Sequence, residues 1–226
     1  MNTWFLMRSE AADAPRNMAL DEALLENMPR LQKPVLRFYS WTDPAASFGY
    51  FQKFREVEKL THLRPLVRRP TGGGIVPHDA DWTYSLTFPT SHEWYGLKAV
   101  GSYRSVHEWL HAAFAKLGVA TEVAPCCLKS GPGQCFLGHE QYDLLWQGRK
   151  IAGAAQRRTR QGLLIQGSVQ PPPIRQPRSE WESAMCRSGP GESVHWAVLQ
   201  PDPELAQTVQ ALLTEKYSRE SYNQKR

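Results

Sequence analysis

Apolar positions recur along the chain at two periods, and the changes between them outline its elements. Residues 3–7 form a short apolar run that reads as a strand, and residues 18–27 carry Met18, Ala19, Ala23 and Leu25 at helical spacing. Asn17 stands where an N-cap would, Asp21 and Glu22 fall in the early turns where the helix dipole favours acids, and Pro29 and Pro34 close the helix. Residues 35–41 alternate as a strand, 46–50 make another, and 57–62 make a short helix. A strand over 66–69 runs into a glycine-rich turn, and 83–88 is the strand that leaves it. Residues 103–117 are an amphipathic helix with Val106, Trp109, Leu110, Ala113, Phe114 and Leu117 on one face and Gly118 as its stop. A strand over 119–123 follows.

Residues 142–146 and 149–154 flank Gln147-Gly148 as the two arms of a hairpin, and 162–169 completes an antiparallel run. The stretch 171–201, rich in Pro and Arg, reads as a surface crossing to a last helix over 203–216. Strands outnumber helices and often adjoin one another. The pattern predicts an α+β fold, a mixed or antiparallel sheet flanked by helices, rather than a doubly wound one. With 226 residues and no internal repeat or low-complexity linker, a single domain over residues 1–226 is expected.

Composition narrows the class. The apolar fraction of 41% and charged fraction of 22% are those of an ordinary globular protein, and no run reaches the roughly 18 apolar residues of a membrane helix. The start of the chain lacks a basic segment followed by an apolar core, so a cytoplasmic protein without a membrane role is expected. Cys126, Cys127, Cys135 and Cys186 have neither the spacing of a metal site nor that of a disulfide framework; reduced thiols and no metal are expected. The net charge of +5 is modest, and there is no aromatic–basic repeat, so nucleic acid is not the expected partner. An acidic protein surface or a bound phosphate accounts for it.

Two segments carry candidate chemistry. In Arg68-Arg69-Pro-Thr71-Gly72-Gly73-Gly74-Ile-Val-Pro-His78-Asp79, three glycines let the backbone approach a ligand, successive N–H groups can form an anion nest, and the arginines can grip a phosphate or carboxylate. A plain hairpin loop would use the same glycines. The segment is neither a Walker loop nor a dinucleotide fingerprint. In Gly148-Arg-Lys150-Ile-Ala-Gly153-Ala154-Ala-Gln156, a lysine among small apolar residues needs an anion or carbonyl partner if it points inward, or solvent if it points out; Gly153 and the alanines leave a slot for an alkyl chain. Cys135 is either a thiol activated by nearby cations or a small buried hydrophobe. His78 alone is open between structural hydrogen-bonder and base.

Together these segments resemble the lipoate–protein ligase and octanoyltransferase family, whose catalytic domain is related to that of biotin–protein ligases. The resemblance runs in order through Asn17-Met-Ala-Leu-Asp-Glu-Ala-Leu-Leu25, Leu36-Arg-Phe-Tyr-Ser-Trp41, Ser47-Phe-Gly-Tyr-Phe-Gln52, the glycine loop, Thr83-Tyr84-Ser85, Tyr142-Asp143, the Lys150 segment and Gln166-Gly167-Ser168. It implies an acyl tunnel between the glycine loop and the lysine strand, with Lys150 on the acyl carbonyl. Arg69, Thr71, Gly72, Gly73, Gly74, His78, Tyr84, Gly153, Ala154, Gln166 and Gly167 would shape that pocket. Where many relatives carry a histidine before Gly-Ser, this chain has Ile165-Gln166, so no role of that histidine carries over.

For function, the resemblance implies transfer of an octanoyl or lipoyl group to a lysine of a lipoyl domain or of glycine cleavage H protein. Cys135 looks like the thioester cysteine of the ligase-like octanoyltransferases, which take octanoate from acyl carrier protein without a cofactor. The other branch, ATP-dependent lipoate ligases, would need ATP and Mg²⁺. No residues are expected to form the C-terminal accessory domain of many ligases, which favours the transferase, acting as a monomer. A catalytically silent acyl- or protein-binding module is the third reading, to be preferred if Lys150 points away from the glycine loop.

Overall fold

The computed structural model describes residues 2–128, 138–172, 174–190 and 194–225. The chain opens with β1 (Asn2–Arg8), α1 (Ala14–Glu26), α2 (Met28–Leu31), β2 (Val35–Tyr39), β3 (Ala45–Phe48), α3 (Phe54–Val57), β4 (Leu66–Arg68), β5 (Val76–His78) and β6 (Trp82–Pro89). It continues through α4 (Glu93–Gly96), α5 (Ala99–Lys116), β7 (Glu122–Val123), β8 (Leu144–Trp146), β9 (Arg149–Arg158), β10 (Gly162–Val169), α6 (Arg178–Arg187), β11 (Val194–Val198), α7 (Pro203–Leu212) and α8 (Glu220–Asn223). Among these residues, eight strands form one sheet in the order β11-β1-β2-β6-β10-β9-β8-β7, and β4-β3-β5 form a small second sheet. β1 runs parallel to β11 and to β2, while the neighbours from β2 to β7 are all antiparallel. The expected α+β fold with a mixed sheet is the one observed.

Strand β2 shows why the large sheet is a middle layer. Leu36 and Phe38 pack in one core with Val106, Trp109, Leu110 and Phe114 of α5 and Trp181 and Met185 of α6. Val35 and Tyr39, of the opposite parity, pack in another with Met18, Ala23 and Leu24 of α1 and Leu205 and Val209 of α7. A strand apolar on both faces needs cover on both. β6 and β10 share the first core through Tyr84, Leu86, Phe88, Leu163, Ile165 and Val169. Their other parity, Thr83, Ser85, Thr87, Gln166 and Ser168, is polar and nevertheless buried. Buried polar groups need hydrogen-bond partners, and those partners organise the site.

The structure corrects several sequence expectations. Helix α1 is capped by Asp13, whose carboxylate accepts from Arg16 N at 2.8 Å, with Pro15 in the first turn. Asn17 lies buried inside the helix, and its amide donates to the Ala12 and Ser40 carbonyls at 3.1 and 2.9 Å. The helix expected over 57–62 lies earlier, as α3, which ends at Val57, a side chain buried in the small core with Phe48 and Leu63. The strand expected over 119–123 shrinks to β7. The last helix ends at Leu212 and passes into a π turn over Leu213–Tyr217. The supposed surface crossing holds α6 and β11: Trp181, Ala184 and Met185 form a buried stripe at i, i+3, i+4 within a mostly polar sequence. No helix among the described residues is long and apolar enough to cross a membrane.

Trp181 is fully buried against Phe38, Trp82 and Tyr84. Its replacement by alanine is expected to cost about 3–5 kcal/mol, read as a lower urea midpoint at unchanged slope.

Candidate functional site

Between the polar parity of the large sheet and the small sheet lies a cavity that is partly open to solvent. Met18, Val76, Ala154 and Ala155 supply apolar wall; Tyr39, Ser47, Thr83 and Ser168 supply hydroxyls. Of the residues expected from sequence, Arg69, Gly73, His78, Lys150, Gly153, Ala154, Gln166 and Gly167 border it. Thr71, Gly72, Gly74 and Tyr84 do not. Thr71 stands behind the wall and donates its hydroxyl to Gln166 Oε1 at 2.8 Å. Tyr84 belongs to the core on the other side of the sheet, directly under Gly167, where an added Cβ would fall 2.1 Å from its ring. Burial pushes its hydroxyl far above the usual tyrosine range.

The glycine loop is built differently from an open phosphate cradle. Arg69 donates from Nη2 to the Gly72 and Gly74 carbonyls at 2.6 and 2.7 Å and from Nε to Gly72 at 3.1 Å. Gly73, between them, has φ +86°, which glycine adopts without strain. Arg68 is buried and donates to the carbonyls of Tyr50, Gln52, Tyr222 and Asn223, tying α8 to the loop. Both guanidinium groups thus direct these donors to backbone, where the sequence had suggested a grip on phosphate.

Lys150 follows the expected hairpin turn. Gln147 and Gly148 have φ of 49° and 73°, and Trp146 pairs with Arg149, as a two-residue turn with two left-handed positions requires. The lysine turns inward toward the cavity that Gly73 also borders, which removes the condition favouring a silent binding module. Its Nζ lies 2.8 Å from Asp143 Oδ2, with the side chains 7% and 0% exposed. Asp143 also accepts from Glu140 N at 2.7 Å and from the Tyr103 hydroxyl. Burial first, and the Asp143 charge second, hold that phenol well above its ordinary pKa, so it remains a donor. His107 closes this shell with Nδ1 2.8 Å from the Tyr103 carbonyl; burial lowers its pKa to about 4. Asp143 was quoted from sequence only as part of the Tyr142-Asp143 motif and given no role, although its place just before the hairpin that carries Lys150 was a usable signal. Gly153 makes room for the lysine rather than for an alkyl chain: a Cβ there would sit 2.8 Å from Lys150 Cε and 2.9 Å from Nζ.

Beneath the cavity, Gln166 donates to Asp21 Oδ2 at 2.7 Å, and Asp21 also takes Arg37, Tyr39 and Ser85. On the opposite wall His78 contacts Asp81 and Ser47 at 2.9 and 2.8 Å. Asp21, Ser47 and Asp81 were given no role in the site from sequence; the partners of Asp21 and Ser47 lie 16 or more residues away, whereas His78, three residues before Asp81, was a usable signal. Cys135 lies outside the described residues. Cys126 and Cys127 are exposed, and burial raises the pKa of Cys186.

By fold, the protein is an α+β domain of the kind found in lipoate–protein ligases. A putative lipoate protein ligase from T. acidophilum superposes with a TM-score of 0.81 over 99% of this chain and 100% of that one, at 20% identity. Lipoate-protein ligase A bound with ATP gives 0.80 over 98% of each chain, at 21% identity. Residues 13–170 match the lipoyl protein ligase A/B catalytic domain, and the chain belongs to that family. An octanoyltransferase LipM from Halalkalibacterium halodurans is 38% identical in an alignment 184 residues long that covers 75% of this chain and 66% of that protein. The chain thus spans just under two thirds of the length of this relative.

Two outcomes follow from this geometry. In Gly153→Ala the obstructing atoms are the far end of a flexible side chain, so the fold should hold while Lys150 leaves Asp143; a crystal structure of the variant reads the displacement, and the buried carboxylate left behind should lower the melting temperature. His107 has its pKa lowered from 6.5 to about 4 in the folded state, so the unfolded chain binds the extra proton between those values. The stability His107 contributes is complete above about pH 6.5 and is lost as the pH falls toward 4, by on the order of 3 kcal/mol. Urea midpoints from pH 7 to 4 should flatten in His107→Leu.

Proposed function

We propose that this protein transfers an octanoyl group from acyl carrier protein, through a thioester on Cys135, to a lysine of a lipoyl domain or of glycine cleavage H protein. The observation that carries the reading is Lys150, anchored by buried Asp143 on a cavity wall in a chain of this family. The name of the H. halodurans relative supports the choice of octanoyl transfer. In the first step the Cys135 thiolate attacks the donor thioester, the new C–S bond forms, the old one breaks, and the carrier leaves as its thiolate. In the second, the acceptor amine attacks the Cys135 thioester, the amide forms and the thiol is released. Lys150 donates to the acyl carbonyl oxygen as negative charge develops on it, and Asp143 holds the ammonium in place.

Gly73, Ala154, Gln166 and Gly167 shape the acyl space on this reading, Gly153 gives Lys150 its room, and Thr71, Gly72, Gly74 and Tyr84 support the walls from behind. The donor arrives activated, so neither ATP nor Mg²⁺ is consumed, and the protein works in the cytoplasm as a monomer. The arginine donors engaged with loop and C-terminal carbonyls favour this branch over a phosphate-binding ligase.

Octanoyl carrier protein is expected to leave an adduct of octanoyl mass on the enzyme, cleaved by neutral hydroxylamine and lost in Cys135→Ser. Lys150→Met should lower transfer to the acceptor about 100- to 1,000-fold. An adduct that survives Cys135→Ser would refute the cysteine route, and pyrophosphate release dependent on lipoate and ATP would mark the ligase branch instead.

A further inference from the structure

The wall opposite the large sheet holds a second set of groups that the transfer reaction above does not use. Ser47 on β3, His78 on β5 and Asp81 just before β6 are buried and lie in series: Ser47 Oγ is 2.8 Å from His78 Nε2, and His78 Nδ1 is 2.9 Å from Asp81 Oδ2. Ser47 and His78 both border the cavity. We propose that these three residues form a serine-nucleophile centre that takes a medium-chain acyl group from a thioester and releases it to water. The choice of a medium-chain acyl group rests on the reading of the preceding subsection; the nucleophile does not.

The direction of each hydrogen bond is set by its neighbours. Trp41 Nε1 donates to Thr83 Oγ1 at 2.8 Å, which turns the Thr83 hydroxyl proton toward Asp81 Oδ2 at 3.0 Å. The Ser168 hydroxyl donates to the same oxygen at 2.7 Å. Oδ2 is therefore an acceptor, His78 Nδ1 carries the hydrogen, and the Nε2 lone pair faces Ser47. Arg69 Nη1 donates to Ser47 Oγ at 3.3 Å, so the serine's own proton is the one directed at Nε2. Trp41 stacks on the imidazole at 3.9 Å and 18°, fixing its plane. Arg69 to Ser47 to His78 to Asp81 is a one-way chain, the arrangement by which a histidine oriented by a carboxylate activates a serine. The Arg69 guanidinium beside Oγ is placed to stabilise negative charge on an acyl carbonyl bonded there.

In the step, the Ser47 Oγ–acyl carbon bond forms as the hydroxyl proton passes to His78 Nε2. The carbon–sulfur bond then breaks, and Nε2 returns the proton to the departing thiolate. Water attacks the Ser47 ester and gives its proton to Nε2; the ester C–O bond breaks and Oγ recovers the proton. Thioester and water become carboxylic acid and thiol.

The test uses the full chain in a Cys135→Ser background, so that no acylation at Cys135 contributes, with an octyl fluorophosphonate and p-nitrophenyl octanoate as probes. Neither needs carrier protein, acceptor or ATP, so the result is independent of whether lysine transfer occurs. One phosphonyl group should map to the peptide bearing Ser47, and Ser47→Ala should lose it together with at least 100-fold in ester hydrolysis. Ser47→Cys should accumulate an octanoyl adduct cleaved by neutral hydroxylamine. His78→Gln, at an unchanged melting temperature, should slow hydrolysis about 100-fold. Labelling elsewhere, or a hydrolysis rate unchanged in Ser47→Ala, overturns the proposal.

Discussion

The carboxylate of Asp21 joins more of this structure than any other single group described. It projects from α1 into the polar parity of the large sheet and accepts from Arg37 Nη1 at 2.6 Å, Ser85 Oγ at 2.6 Å, Tyr39 Oη at 3.0 Å and Gln166 Nε2 at 2.7 Å. One helix is thereby bound to β2, β6 and β10. Arg37 is completed by the Asn17 carbonyl and side chain and by Ser9. Removing one partner of a buried ion pair leaves an uncompensated charge, a cost of about 3–5 kcal/mol. Every group on this carboxylate must therefore be present for the others to be tolerated in the interior.

From that hub the geometry passes upward to the cavity. Gln166 spends its amide nitrogen on Asp21 and its oxygen on Thr71, so the floor of the cavity and the glycine loop share one side chain. Arg69 then curls the loop by binding the carbonyls on both sides of Gly73. The loop is held by cations lying behind it, which positions it without leaving those donors to a ligand. Backbone shape here is a product of buried electrostatics, with the glycines permitting it.

The two chemical walls follow different rules. Lys150 is fixed by a carboxylate that is itself fixed by Tyr103 and the Glu140 amide, a polar shell with the neutral His107 behind it. The Ser47 wall is a chain of donors that all point one way and end on Asp81. A cation held by a pinned anion suits stabilising charge on a carbonyl. A histidine with an oriented lone pair suits moving a proton. Met18, Val76, Ala154 and Ala155 line the same cavity as both walls.

Much of the fold was legible in the chain because its signals are local. Periodicity located α1, α5, β2, β6 and β10, and Gln147-Gly148 marked the hairpin that delivers Lys150, whose two-residue turn takes positive φ at both positions. The ordered motifs were enough to point to the family and to most of the cavity wall. What the sequence could not carry was pairing. The stripe of Trp181, Ala184 and Met185 was masked by polar neighbours until α5 and the sheet supplied its cover. Nothing local distinguishes an arginine that grips a ligand from one that grips carbonyls, or a slot for an acyl chain from room for a lysine. Those outcomes depend on how the chain folds back on itself, over three residues from Arg69 to Gly72 or over 155 from Arg68 to Asn223, and on the cost of leaving any buried polar atom alone. The local code determined the elements and the residue types at the site; only the tertiary structure decided which charges face the cavity and which hold it together.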